Sequence, residues 1–187
     1  MSDRFIHVHE PLPGLHVFER VRMGDARGFL ERIYDADGEG DLLPFARVAQ
    51  VNRTLTAQAG TVRGMHFQRP PFAEVKLVHC THGSVFDVAV DLREGSPTFL
   101  HWHAEVLSER NWRAMRIPEG FAHGFQSLEA NSELIYVHSQ SYRAGAEDGV
   151  GPLDPRLAID WPLEIALISE RDTNHRLLDA DFQGVAV

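Results

Sequence analysis

The sequence is poor in cysteine: Cys80 is the only one in 187 residues. An intrachain disulfide is therefore excluded, and so is a thiolate-rich zinc site. Long apolar runs are missing as well. None approaches the ~20 residues of a membrane-spanning helix, and Met1-Ser2-Asp3-Arg4 is not followed by an apolar signal core. These absences predict a cytoplasmic protein with no membrane partner. Positive charge is scarce: 18 Lys and Arg stand against 27 Asp and Glu, a formal net charge of −9. A general nucleic-acid surface needs clustered positive charge, so nucleic acid is not an expected partner. A small anion is still admissible, because a few local Arg and Lys can hold a diphosphate whatever the global sign. Long helical periodicity, internal repeats and low-complexity tracts are also lacking.

What is present is a globular composition, 43% hydrophobic and 24% charged, at a length that predicts one domain over residues 1–187. Short runs of β-branched and aromatic residues, punctuated by Gly and Pro, predict an all-β sandwich or barrel. Residues 5–8 and 15–18 read as strands split by Pro11 and Pro13-Gly14. Residues 25–31 read as a turn into a strand, with Arg27 and Glu31 on a charged edge. Residues 35–44 read as an acidic, Gly-rich surface loop that starts like a calcium loop but lacks its later Glu.

Further along, residues 46–54 alternate so that Gln50 and Asn52 share a face. Residues 84–92 form the clearest core strand, with Phe86, Val88, Val90 and Leu92 on one face and Val85, Asp87, Ala89 and Asp91 on the other. His101 and His103 share a face as a metal pair would, but no third ligand is near in sequence, and an exposed strand end is expected. Residues 117–125 read as a turn carrying His123 between aromatics. Residues 133–142 put Leu134, Tyr136, His138, Gln140 and Tyr142 on one face, a polar face with two tyrosines that suits the lining of a cleft. Ser169-Glu-Arg-Asp172 carries a helix N-cap signal, and residues 173–187 are expected to drape over the surface.

Residues 60–76 concentrate the chemistry. They read as a strand, a Pro70-Pro71 turn and the start of a second strand, and they carry Arg63, His66, Gln68 and Lys76. His moves protons near neutral pH, and Arg and Lys hold phosphate or a developing oxyanion. His66 and Gln68 share a face. Strict alternation puts Arg63 on the other face, unless a bulge at Gly64 turns it back.

Gly60 to His66, followed by Pro118-x-Gly-x-x-His123, resembles the two halves of the cupin pattern. Metal-binding cupins carry His-x-His in the first half; here the second position is Gln68, and the Asn expected after His123 is Ser127. The closer resemblance is to a metal-free branch. Arg63-Gly-Met-His66-Phe-Gln68, Lys76-Leu-Val, the 85–98 segment, Ile117-Pro-Glu-Gly-Phe-Ala-His-Gly-Phe125, Ile159-Asp-Trp-Pro162 and Ser169-Glu-Arg-Asp172 together resemble the dTDP-4-dehydrorhamnose 3,5-epimerase family, over about Arg27 to Asp172.

That resemblance implies a cupin-type jelly-roll sandwich with short peripheral helices, assembled as a homodimer and needing no cofactor. It implies an isomerase that inverts C3, C5 or both of a nucleotide-diphosphate sugar, a 4-keto-6-deoxyhexose, in rhamnose-type deoxysugar biosynthesis. His66 would be the base, Asp172 its orienting carboxylate, Lys76 the enolate stabiliser and Tyr136 the acid. Arg63, Gln50, Asn52, His123 and Arg171 would hold sugar and diphosphate. Tyr142 would stack on the base, with Phe29 from a partner subunit; Arg27, Glu31, Glu147 and Gln68 complete the binding candidates. The chain departs from the family at Glu74, where Gln is usual, at Asp148, where Arg is usual, and in a shortened run before Glu31. Two rival readings are a metal-dependent cupin using His66, Gln68, Glu74 and His123, and a sugar-binding cupin without activity.

Overall fold

The computed structural model describes residues 4–36 and 47–187. In chain order the strands are β1 (Phe5–Leu12), β2 (Leu15–Arg20), β3 (Arg22–Asp25), β4 (Gly28–Glu31), β5 (Gln50–Thr56), β6 (Thr61–Gln68), β7 (Lys76–His82), β8 (Ser84–Asp91), β9 (Trp102–Ser108), β10 (Arg113–Ile117), β11 (Phe121–Ser127), β12 (Ser132–His138), β13 (Glu147–Gly149) and β14 (Leu167–Ile168). A single helical turn, α1 (Glu170–Thr173), follows. Most of the expected 35–44 loop lies outside the described residues. Among the described residues no helix is long and apolar enough to cross a membrane.

Two sheets form the sandwich. The first runs β1-β2-β10-β7-β12-β5, the second β13-β6-β11-β8-β9 with β14 parallel on β6; β3 and β4 form a separate hairpin. The faces that meet between the sheets carry Leu15, Val78, Val85, Leu107, Met115, Ile117, Phe125 and Leu134, all buried. Each such side chain contributes about 1.5–3 kcal/mol relative to exposure. The alternation in β8 holds: Val85 and Ala89 face the inter-sheet core, while Val88, Val90 and Leu92 join a second cluster on the outer face. Both faces are covered, which is why the strand reads as nearly continuous apolar sequence.

The outer cluster is closed by Val150, Leu157, Leu178 and Val185. The tail therefore does not merely drape: Val185 donates to the Leu92 carbonyl at 2.7 Å and receives the Glu94 N–H at 3.0 Å. Leu178 and Val185 anchor it, with Phe182 packed against the same cluster. The 85–98 motif has a structural explanation. Buried Asp91 accepts from Arg93 Nε (2.9 Å), Ser96 Oγ (2.6 Å) and Thr98 Oγ1 (2.7 Å), folding the loop after β8 around one carboxylate. Cys80 is buried, and burial pushes its thiol up to about 12.

Two local readings change. His123 lies inside a central strand, β11, with only Pro118-Glu-Gly120 making the turn before it. β12 stops at His138, so Gln140 and Tyr142 leave the strand face that Leu134, Tyr136 and His138 share.

Candidate active site

A cavity of about 480 Å³ opens between the sheets. The first sheet supplies Gln50 and Asn52 from β5, Lys76 from β7, and Tyr136 and His138 from β12; the second supplies Arg63, His66 and Gln68 from β6 and His123 from β11. Tyr142, Glu147 and Arg171 stand at its rim.

Bringing Arg63 and His66 to one wall requires breaking the period of two. In β6, His66 pairs with His123 and Arg63 with Phe125, so the stretch between them holds one residue more on β6 than on β11. Gly64 sits there at φ +129°, and a Cβ on it would fall 2.5 Å from the Gly124 Cα. The two glycines let the backbones touch, and the bulge turns Arg63 inward as expected. Met65 and Phe67 go to the outer cluster. Arg63 is braced by Thr56 Oγ1 at 3.1 Å and the Leu55 carbonyl at 3.3 Å.

His66 Nε2 lies 2.8 Å from Asp172 Oδ1. A carboxylate only accepts, so Nε2 carries a proton, and in the neutral ring the lone pair is on Nδ1. Asp172 is placed by the helical turn. Its N–H caps onto Ser169 Oγ at 3.1 Å, and its Oδ2 accepts the Gly64 N–H at 3.1 Å. The cap signal and the catalytic assignment thus belong to one arrangement. Burial opposes the Asp172 charge, but His66, Gly64 and Ser169 outweigh it and hold the carboxyl below its ordinary value.

Opposite, burial and the charge of Asp87 raise the Tyr136 phenol well above its ordinary value, so it stays protonated. Lys76 Nζ donates to the His66 carbonyl at 3.2 Å and lies 3.4 Å from Glu74 Oε1. The other Glu74 oxygen accepts from His138 Nδ1 at 2.9 Å. Burial disfavours the Glu74 charge, yet His138 and Lys76 hold its carboxyl below the usual range. Glu74 is thus paired with Lys76 and His138 of the same wall. Asp148, the other acidic departure, pairs with Arg69 Nε at 2.8 Å, away from the cavity lining.

Buried His123 is tied to fully buried Asp87 at 2.8 Å. Burial pushes the Asp87 carboxyl up although His123 pulls it down. Gln68 spends its amide on the mouth of the cavity, accepting the Arg143 N–H at 2.7 Å and donating to the Phe72 carbonyl at 3.2 Å. Gln50 accepts the Tyr142 N–H at 2.9 Å and donates to Asn52 at 3.1 Å. Tyr142 Oη donates to Glu147 at 2.7 Å, and Arg171 pairs with the same carboxylate.

Three binding candidates lie elsewhere. Arg27 and Phe29 are exposed on the β3–β4 hairpin, Arg27 paired with Asp25 and Phe29 under the Arg22 guanidinium at 4.1 Å. Glu31 is not a solvated edge residue but bridges buried Arg20 at 2.6 Å and Arg22 at 2.9 Å. The ligand set of the rival metal-dependent reading does not assemble: His66, Glu74 and His123 face separate partners and form no triad among the described residues.

The residue roles drawn from the sequence left out His138, Asp87 and His175. His138 was visible at period two from Tyr136, and Asp87 as one of two acids, with Asp91, on one face of an apolar strand. His175, with its ring centroid 5.4 Å from that of His66, had no signal beyond lying three residues after Asp172.

Residues 9–180 match the sequence pattern of the family described as dTDP-4-dehydrorhamnose 3,5-epimerase. The chain is 44% identical over 174 residues to the dTDP-4-dehydrorhamnose 3,5-epimerase of Pseudomonas aeruginosa, covering 91% of this chain and 94% of that one. It is 45% identical over 132 residues to the dTDP-4-dehydrorhamnose 3-epimerase of Streptomyces niveus, covering 71% of this chain and 63% of that one. The fold superposes with TM-score 0.89 on the dTDP-6-deoxy-D-glucose-3,5-epimerase of Legionella pneumophila, solved in complex with dTDP-4-keto-L-rhamnose, at 37% identity over 98% of this chain and 99% of that one. The chain belongs to the dTDP-4-dehydrorhamnose 3,5-epimerase family.

Proposed function

We propose that this enzyme inverts C3 and C5 of a dTDP-4-keto-6-deoxyhexose in rhamnose biosynthesis, with His66, Asp172, Lys76 and Tyr136 as its catalytic set. The reading rests on one observation: His66, its Nε2 tied to Asp172, on one wall, and a protonated phenol on the other. Epimerisation beside a carbonyl needs a base on one face and an acid on the opposite one. His66 Nδ1 takes the proton from the carbon next to the keto group. The C–H electrons move into the carbonyl oxygen, and the enolate charge lies against the Lys76 ammonium. Tyr136 then returns a proton to the carbon from the other side. Asp172 stabilises the imidazolium and fixes its tautomer.

Arg63 and Arg171 hold the diphosphate, with Gln50, Asn52 and His123 on the sugar and Glu147 and Tyr142 at the nucleotide end. The active form is a homodimer. Its support is apolar surface left on the hairpin (Phe29 60% and Leu30 66% exposed) and on edge strand β5 (Val51 59% and Leu55 50% exposed). Edge strands of this kind are templates for pairing, and in such a dimer Phe29 of the partner subunit would join Tyr142 in stacking on the base. Leu30→Glu is expected to give monomers in light scattering; an unchanged mass removes the hairpin from the interface.

The test of the reaction is incubation with dTDP-4-keto-6-deoxyglucose in heavy water, read by NMR at C3 and C5. Deuterium should enter at both carbons, and H66N should lose both by about 10²–10⁴-fold in rate. Full exchange in H66N removes His66 as base; exchange at C3 alone limits the enzyme to that carbon.

A further inference from the structure

The sequence left His101 and His103 without a third metal ligand. The structure discards His101 and supplies two others. His9 Nε2 lies 3.7 Å from Glu105 Oε2, and His103 Nε2 lies 3.4 Å from the same oxygen. All three ligand atoms fall within 4.8 Å of one another. The two imidazole rings stand nearly perpendicular, 84° with centroids 5.5 Å apart, so both nitrogens converge without stacking. Zinc bonds of about 2.0–2.1 Å in a tetrahedron set ligand atoms about 3.3 Å apart, close to the two measured separations.

We propose that His9, His103 and Glu105 form a binding site for a divalent transition-metal ion, zinc by its ligand set, outside the catalytic cavity. Two imidazoles and one carboxylate are borderline ligands that zinc accepts, and three of them leave a fourth position to water. Glu105 is oriented from behind: its other oxygen is held by the Arg113 guanidinium, and the side chain is 8% exposed. The side chains of His9 and His103 are 40% and 24% exposed, so the ion enters from solvent. The placement gives the site a mechanical role. His9 belongs to β1, the edge of the first sheet, and His103 and Glu105 belong to β9, the edge of the second. An ion here staples the two edges where no backbone ladder joins them.

The experiment is titration of the full chain with cobalt(II), followed by zinc(II) competition, reading visible d–d absorption. Wild type is expected to bind one equivalent outside the active site, and H9Q and H103Q each to weaken binding at least tenfold. The active site holds a second triad, His66, Asp172 and His175, so H66N is run in parallel and should keep the signal. Zinc should also raise the melting temperature of wild type and H66N by a few degrees and leave H9Q unmoved. Absence of binding in wild type overturns the proposal, and so does a signal lost in H66N but kept in H9Q.

Discussion

The ring of Tyr136 meets that of His123 edge-on across the sandwich, centroids 5.8 Å apart at 70°. His138 stacks on the same ring at 6.0 Å and 24°. The phenol ring thus contacts two imidazoles, one from each sheet, each anchored by its own carboxylate, Asp87 or Glu74. Y136F keeps this packing and removes only the hydroxyl. Product formation should fall by about 10²–10⁴-fold while His66 still exchanges the substrate proton with solvent. NMR in heavy water separates the two rates; equal losses in both would deny Tyr136 the role of acid.

D172N should leave the fold intact and reduce kcat by about 10²–10⁴-fold, because the amide no longer fixes the His66 tautomer or stabilises its cation. It also has a signature in stability. The Asp172 carboxyl lies below its ordinary value in the folded chain, so the fold binds its proton more weakly than the unfolded chain does. Its stabilisation is complete above the unfolded value of about 3.9 and is lost as pH falls through the lower, folded value. Urea unfolding of wild type and D172N across the acid range should therefore converge at the lowest pH and separate above it. Parallel curves would deny the linkage.

Glu74→Gln removes a negative charge from the wall that faces an anionic substrate, while keeping the side chain's size. Lys76 loses the carboxylate 3.4 Å away and presents an uncompensated ammonium. KM for the nucleotide sugar is expected to fall several-fold. Steady-state kinetics at two ionic strengths checks it, since the difference should shrink in high salt. A raised KM would mean that Glu74 acts by positioning Lys76 rather than by opposing the substrate's charge.

Gly124→Ala places a Cβ 2.5 Å from Met65 Sδ and 2.7 Å from the Arg63 carbonyl. The sulfur can move; the backbone cannot. The substitution should cost about 1–3 kcal/mol, read as a melting temperature lower by roughly 2–12 °C. KM should rise as Arg63 swings out of register. A variant with unchanged melting temperature would show that the two backbones have room to part.

How far the molecule was legible differs from element to element. The β8 alternation and the bulge at Gly64 followed from local pattern, because side-chain period and glycine geometry are properties of a few adjacent residues. The pairing of His66 with Asp172 came only through family resemblance; nothing in their spacing of 106 residues encodes it. The contacts that joined Glu74 to His138 and His9 to Glu105 were illegible for the same reason. They depend on which strands become neighbours, and strand order is fixed by the closing of the whole sandwich. Val185 was missed because it is anchored by a single bridge to Arg93, too short an element to show a strand period.

The acceptor for the His66 imidazole arrives late. Every strand from β1 to β13 precedes it in the chain, whereas Asp172 follows β14. A ribosome that has released residues 1–165 has delivered the base, the lysine, the tyrosine and the arginine of β6, but not the carboxylate that readies the base. On the proposed roles, residues 1–165 carry the base without the carboxylate that orients it. The two meet where the α1 turn, capped by Ser169, packs against β6, so a turn of four residues completes the proposed catalytic pair.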